Sequence, residues 1–175
     1  MNQQVKIIIF SLLAIFSLSF YSCLSVAKLS DLPQTAEVIN FNKIADSEQA
    51  DIEKFWTFNT VSEYYIKSNS VNDSLIFNSL KTALINNGFS VKLMDRAKHT
   101  ILAKSGLKGN EWNTIVGIYY NIGSSESEIY IKCKITQDIT GGLREDRAKK
   151  IGDVICNMLE NCKEAYRINS RKSSP

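Results

Sequence analysis

The chain has 175 residues, of which 44% are hydrophobic and 22% are charged, with only two prolines. This ordinary globular composition excludes collagen-like, low-complexity and wholly disordered proteins, and the length suits one domain with an appended segment. The net charge of +3 is small and dispersed. We therefore expect no nucleic-acid partner.

The N-terminus predicts export. Residues 1–6 are polar and end in Lys6, and residues 7–20 form an apolar run that is short for a membrane span. Such a run, ending in small residues, is typical of a signal peptide. Cys23 follows directly behind Ser22. This arrangement resembles a bacterial lipobox, which implies a diacylglyceryl group on the Cys23 thiol and cleavage that leaves Cys23 as the new N-terminus.

Two alternatives to the lipid anchor remain open. Phe20 and Tyr21 stand where a lipobox usually has Leu and a small residue. Residues Ser25–Ala27 form an acceptable site for ordinary signal cleavage, which would release the protein. Residues 7–27 carry no charge and are just long enough for an uncut membrane span. All three interpretations place the rest of the chain outside the cytoplasm.

The domain division follows from these patterns. It comprises a lipoprotein signal peptide at 1–22, a lipidated N-terminus and tether at 23–50, a single α+β domain at 51–166 and a disordered basic tail at 167–175. Within the first half we expect a short strand near Glu37–Phe41 and a helical turn in residues 46–58.

From residue 60 onward the elements are clearer. Residues 60–67 are β-branched and aromatic and predict a strand. A helix follows, with Asn72 or Asp73 as its cap and Gly88 at its end. Its apolar residues recur at helical spacing: Ile76, Phe77, Leu80, Ala83 and Leu84. Two strands are then predicted at residues 89–94, with Phe89, Val91 and Leu93 pointing inward, and at residues 99–105.

Two long strands complete the predicted sheet, at residues 111–122 and 127–136, joined by a hairpin turn at Gly123–Glu126. Their alternation assigns a core face to Trp112, Val116, Ile118, Tyr120, Ile122, Ile129, Ile131, Cys133 and Ile135. The last element is an amphipathic helix from Leu143 to Tyr166.

The order is β-α-β-β-β-β-α. Short turns between strands imply antiparallel pairing, so we predict an α+β fold: a two-layer antiparallel sheet covered by two amphipathic helices. Cys156 and Cys162 would lie about 9 Å apart along the last helix and could not bridge. A disulfide is then possible only between Cys133 and one of them, and the alternative is three buried thiols.

The stretch SLKTALINNGFSVKLMDRAKHTILAKSG, with the strand pair and final helix after it, resembles the small helix-grip domains of exported bacterial lipoproteins such as BamC. The resemblance covers residues 60–165. It implies a helix-grip fold and a scaffolding or binding role, and it transfers no active-site residue.

Chemistry-bearing motifs are sparse. The sequence contains no G-x-S-x-G, H-E-x-x-H, P-loop or C-x-x-C motif. His99 is the one imidazole, and we interpret it as a histidine at the edge of the sheet rather than as a base. We therefore predict no enzymatic activity, no cofactor and no metal site.

An exposed binding strip is predicted on the sheet. If the core set faces inward, alternation turns the opposite set outward: Ile115, Tyr119, Tyr130, Lys132 and Lys134. Aromatic side chains edged by lysines suit a protein partner. We thus predict that alanine at both Tyr119 and Tyr130 weakens partner capture and leaves the fold intact.

The predicted function is a non-enzymatic lipoprotein of the bacterial envelope. It would be anchored through Cys23 to the outer membrane, facing the periplasm, and would bind or assemble another envelope protein. The alternative is a periplasmic protein that binds a small molecule or lipid in an apolar cavity between the 143–166 helix and the Trp112/Tyr120 face.

Overall fold

The computed structural model describes residues 26–47, 61–106, 111–138, 146–159 and 162–168; within 111–138 it describes the side chains of 113–135. The predicted signal peptide, Cys23, most of the predicted 46–58 turn and the tail beyond Ile168 lie outside these ranges. The described residues form an α+β fold on one open six-stranded sheet, so the predicted fold class is confirmed. Among these residues, no helix is long and apolar enough to cross a membrane.

Each neighbouring pair of strands is antiparallel, and the strand order is β2-β3-β4-β5-β1-β6. The strands are β1 (Val61–Ser68), β2 (Ser90–Asp95), β3 (Thr100–Lys104), β4 (Glu111–Ile122), β5 (Ser127–Asp138) and β6 (Cys162–Arg167). The helices are α1 (Phe41–Ala45), α2 (Asp73–Asn86) and α3 (Arg147–Leu159), with 3-10 turns at Leu29–Asp31 and Ala36–Val38.

Helix α2 begins and ends at the predicted capping residues. The Asn72 side chain accepts a hydrogen bond from the Leu75 amide at 3.1 Å. At the other end Gly88 takes a φ of 74°, and the Phe89 amide donates to the Leu84 carbonyl at 2.9 Å. This is the glycine-terminated helix end that the sequence predicts.

Helices α2 and α3 cover one surface of the sheet, which we call the helix face. The predicted core phase of β4 and β5 is confirmed there, because Val116, Ile118, Tyr120, Ile129, Ile131 and Cys133 are all buried against the two helices. Helix α3 contributes Ala148, Ile151, Ile155 and Leu159. The side chain of Trp112 lies outside the described residues.

The predicted helix from Leu143 to Tyr166 is wrong beyond Leu159. The apolar stripe of α3 ends at Leu159, and the chain then forms β6, which pairs with β1 at the sheet edge. Because Cys162 opens a strand, its Cα lies 5.4 Å from that of Cys156, and the two form a disulfide. The prediction that they cannot bridge is therefore wrong. Of the two alternatives left open for Cys133, the structure shows the buried thiol.

Residues 26–47, predicted as part of a tether, pack on the opposite surface of the sheet. We call this segment the strap and the surface beneath it the strap face. The strap buries Ala27, Leu32, Ala36 and Phe41. Instead of the expected strand near Glu37–Phe41 it contains a 3-10 turn and α1. The sheet is thus covered on both faces and not only on one.

The outer strand β2 also departs from the simple alternation. Its register with β3 shifts between Val91 and Leu93, and such a bulge turns the following side chains. As a result Leu93 is 36% exposed rather than inward, and Met94 is 39% exposed. Phe89, just before the strand, is buried as predicted.

Candidate functional site

The predicted binding strip lies on the strap face. Tyr119 pairs directly with Tyr130, and Ile115 pairs with Lys134, so the strand phase is confirmed. The predicted exposure is wrong, because Ile115 and Tyr119 are 0% exposed and Tyr130 is 6% exposed. Their apolar surface is removed from water by the chain's own strap, which is the hydrophobic driving force for this packing.

Polar contacts hold the first half of the strap in register with the strands. The Tyr119 hydroxyl donates to the Pro33 carbonyl at 2.8 Å. The Lys134 ammonium lies 3.0 Å from Asp31 Oδ2. A backbone hydrogen bond from Lys28, followed by the hydrogen bond from Lys134, lowers the pKa of Asp31. Lys134, predicted to edge an open binding strip, therefore binds the strap instead.

Both ends of the strap are also bonded to the sheet. At its start the Asn113 amide group donates to the Ala27 carbonyl at 2.8 Å. Asn113 has a φ of 57°, a left-handed conformation that asparagine tolerates better than most residues. At the far end the Tyr166 hydroxyl donates to the Ala45 carbonyl at 2.8 Å. The strap is therefore an integral layer of the fold.

A buried carboxylate lies beside the tyrosine pair. Tyr130 donates its hydroxyl proton to Glu63 Oε1, and the Lys132 ammonium lies 2.9 Å from the same oxygen. Burial, reinforced by the Glu63 charge, raises the pKa of Tyr130. The sequence analysis did not identify Glu63 as a candidate. Glu63 lies directly opposite Lys132 on the neighbouring strand, and this becomes visible only when the register of β1 with β5 is known.

Two clefts border the strap. One cleft has a volume of about 220 Å³. It is lined by Glu63 with its partners Tyr130 and Lys132, and by side chains of the strap and of Ile168: Pro33, Val38, Ile39, Lys43, Ile44 and Ile168. The other, of about 430 Å³, is a shallow groove lined by residues 37–42 with Asn121 and Glu128. Both lie on the strap face.

A ligand cavity is expected from the sequence between the last helix and the Trp112/Tyr120 face, that is, under α3 and on the opposite side of the sheet from these two clefts. A cavity that holds a water-sized probe would leave accessible area on its walls. Tyr120, Ile118, Ile151 and Ile155 have 0% exposure. These four side chains belong to one buried cluster and leave no water-sized space along their own surfaces.

His99 belongs to a group of polar side chains near the β2–β3 turn and the start of α2. Its ring stacks on Tyr120 with centroids 4.6 Å apart, and Tyr120 donates its hydroxyl proton to Asp73 at 2.8 Å. Arg96 contacts Asp73 and donates to the Ser74 hydroxyl at 2.8 Å. Partial burial acts to raise the pKa of Asp73, but the hydrogen bonds from Tyr120 and Arg96 outweigh it and lower that pKa.

The contacts of this group have a structural role. They tie the β2–β3 turn to the first turn of α2, and the carboxylate already has two donors. Within the described part of the chain, no three His, Cys, Asp or Glu side chains lie close enough together to hold a metal ion.

Comparison with known proteins adds no family to these observations. No protein-family model matches the chain, and a search of curated proteins finds no similar sequence.

Proposed function

We propose that this protein is a non-enzymatic lipoprotein of the bacterial cell envelope, anchored in a membrane through acylated Cys23, whose α+β domain binds or stabilises another envelope protein. The anchoring part rests on one structural observation at Ala27. The binding part rests on the exposed surface of α2 and β2.

The packing of Ala27 supports one of the two cleavage sites over the other. Ordinary signal cleavage after Ala27 would discard that residue and leave Lys28 as the N-terminus. Yet Ala27 is 3% exposed, and its carbonyl accepts the hydrogen bond from Asn113. Cleavage before Cys23 keeps both contacts in the mature protein. The packing of Ala27 therefore supports the lipoprotein interpretation over release, and it equally disfavours a membrane span that ends at this residue.

The cysteine chemistry is compatible with export. Disulfides persist in oxidising compartments such as the bacterial periplasm and are rare in the cytosol. The Cys156–Cys162 pair is a disulfide, and Cys133 is fully buried. Neither the pair nor Cys133 is then available for acylation, which supports Cys23 as the modified residue.

With the predicted strip covered, the partner needs another surface. Three apolar side chains are exposed around the contact between Arg96 and α2: Val71 at 44%, Leu75 at 45% and Met94 at 39%. We call them the α2/β2 surface. Arg96 and Asp73 lie among them as polar neighbours, so the surface mixes apolar and polar groups, as protein interfaces do.

The anchor is tested with two matched variants and a clickable palmitate analogue. We expect the wild type and Ser25→Leu to be acylated and processed, because Ser25 matters only to ordinary signal cleavage. Cys23→Ser should remain an unlabelled precursor. The anchor proposal would be wrong if the Cys23→Ser protein were still cut and released while the Ser25→Leu protein remained an uncut precursor. That result would show that cleavage occurs after Ala27.

The partner role is tested by photo-crosslinking in intact cells. A crosslinking amino acid at Leu75 should give one discrete adduct with an envelope protein. The same amino acid at Lys81, an exposed position on the same helix outside the α2/β2 surface, should give none. Equal labelling at both positions, or no adduct at Leu75, would contradict a binding role for this surface.

A further inference from the structure

We propose that the end of the sheet at which the strap begins rests on the lipid headgroups of the anchoring membrane, so that the domain stands on the bilayer in one orientation. This inference rests on the proposed acylation of Cys23. We define the membrane-proximal end by four described residues at this end: Lys28, Lys104, Gly106 and Asn113.

Chain length supplies the first argument. Cys23 and Ala27 are separated by four residue steps, which span at most about 14 Å even when fully extended. A lipid-modified cysteine lies at the headgroup layer. Ala27 therefore lies within about 14 Å of the glyceryl-modified Cys23 Cα, and Asn113 is hydrogen-bonded to Ala27. The predicted tether of residues 23–50 would have allowed much more freedom.

The rigidity of this end supplies the second argument. Ala27 is buried, and the Lys28 amide donates to Asp31 Oδ2 at 3.1 Å. Asp31 is in turn held by Lys134 at 3.0 Å on β5. The chain therefore enters the fold at a fixed point and cannot swing on residues 27–31. A short link to a fixed point restricts the whole domain.

Sheet geometry defines which residues are far away. Strand β4 runs from Glu111 to Ile122, a length of about 40 Å for twelve extended residues. Its far end leads into the Gly123–Glu126 turn. That turn and the α2/β2 surface lie at the opposite end from Asn113, because α2 begins where β1 ends. The proposed partner surface would thus face away from the membrane.

Charge favours lipid as the occupant of the membrane-proximal end. Lys28 is exposed and Lys104 is half-buried there. The nearby carboxylates of Asp31 and Asp146 are paired with Lys134 and Arg167, and Glu111 and Asp138 stand at the paired ends of β4 and β5. Basic side chains at this position are attracted to anionic headgroups.

The test uses the full acylated protein in vesicles of phosphatidylethanolamine and phosphatidylglycerol, with a nickel chelate attached to some headgroups. A nitroxide is placed at Gly106→Cys or, as the matched control, at Ser125→Cys in the far turn. Both sites are exposed, and a Cβ at Gly106 meets nothing within 4 Å. We expect the headgroup-bound nickel to increase the spin relaxation rate of the nitroxide at residue 106 several-fold more than that of the nitroxide at residue 125.

A second variant carries a long Gly/Ser linker between Ser25 and Val26. If chain length holds the orientation, the difference between the two labels should largely vanish; a difference that survives the linker still supports headgroup contact. Equal relaxation at 106 and 125 in acylated protein without the linker overturns this inference alone, as does stronger relaxation at 125. Protein that is not acylated and does not bind vesicles overturns the proposed anchor as well.

Discussion

At the residue scale, Tyr119 joins two layers of the molecule. It is fully buried on the strap face, its ring stacks on Tyr130 at 6.0 Å, and its hydroxyl bonds to the Pro33 carbonyl. Burial raises its pKa. A side chain predicted to be an exposed anchor for a partner is instead the anchor of the chain's own strap.

Substitution at Tyr119 should therefore destabilise the fold. Tyr119→Phe removes one hydrogen bond and should lower the free energy of unfolding by about 0.5–1.5 kcal/mol. Tyr119→Ala should lower it by about 3–5 kcal/mol, as for other buried aromatic residues. Urea denaturation measures both. A Tyr119→Ala protein as stable as the wild type would mean that the strap does not cover this residue in solution.

Asp73 should give the fold an acid-sensitive contact. Because its pKa is lowered in the folded state, its contribution to stability is present above the ordinary carboxyl pKa of about 3.9 and is lost as the pH falls through the lowered value. Asp73→Asn should melt below the wild type near neutral pH, and the gap should narrow on acidification. Thermal melts across the acid range check this; a gap independent of pH would contradict it.

At the element scale, β4 is shaped to receive the strap. A Cβ at Gly117 would lie 2.8 Å from Tyr119 Cζ and closer still to its hydroxyl. The ring of Tyr119 therefore lies over the glycine, where no side chain fits. This close approach places the hydroxyl against Pro33.

Gly117→Ala should displace the Tyr119 ring and destabilise the protein by about 1–3 kcal/mol, the usual range for overpacking. Gly106→Ala is the control, since a Cβ there meets nothing within 4 Å; it should leave stability unchanged or slightly raised. Chemical denaturation of the two variants compares them. If both glycines tolerate alanine equally, the ring does not occupy this position.

The disulfide should stabilise the connection between α3 and the edge strand β6. Cys156 and Cys162 close a loop with a sequence separation of 6. For a loop this short the chain-entropy model gives about 2 kcal/mol. We expect the Cys156→Ser, Cys162→Ser double variant to lose that amount. Dithiothreitol should lower the Tm of the wild type but not of the double variant, and identical responses would argue against the bond.

At the scale of the whole molecule, tyrosines are buried in both faces of the sheet. Burial, with neighbouring carboxylates, raises the pKa of Tyr64 to about 12. The pKa values of Tyr65, Tyr119, Tyr120 and Tyr130 are raised further, chiefly by burial. These phenols are therefore protonated in the folded protein at pH values where the unfolded chain ionises.

Alkaline pH should consequently unfold the domain. The stabilisation from a raised pKa is complete below the ordinary tyrosine pKa of about 10 and declines as the pH rises above it. Tyrosinate absorbance should then rise together with loss of the far-ultraviolet circular dichroism signal. If most tyrosines ionised near pH 10 (about their ordinary value) while the fold persisted, the described burial would be wrong.

Local patterns predicted most of the elements. Helix α2, with Asn72 and Gly88 at its ends, and the alternation of β4 and β5 depend on neighbouring residues, so their positions agree with the structure. The end of α3 does not follow from such patterns. The helical spacing of apolar residues continues to Cys162, but pairing with β1 supplies hydrogen bonds that make Cys162–Arg167 a strand.

The candidate site was harder to predict because exposure is a property of the assembled layers. Ile115 and Tyr119 on one face of β4, with Val116 and Ile118 on the other, make the strand apolar on both sides, which is typical of a strand buried on both faces. That signal is present in the sequence. It does not identify the segment that covers the second face.

The sequence by itself determined the α+β class, the antiparallel order of the central strands and the division of their side chains between two faces, because these depend on local periodicity and short connections. Only the tertiary structure decided that residues 26–47 cover the second face, that Cys156 meets Cys162, and that Ala27 lies inside the fold. The disulfide depends on where α3 ends, and the other contacts join residues distant in sequence, such as Ala27 and Asn113. Burial of apolar surface against the assembled sheet favours the strap contacts, and no local pattern in the sequence reports that burial.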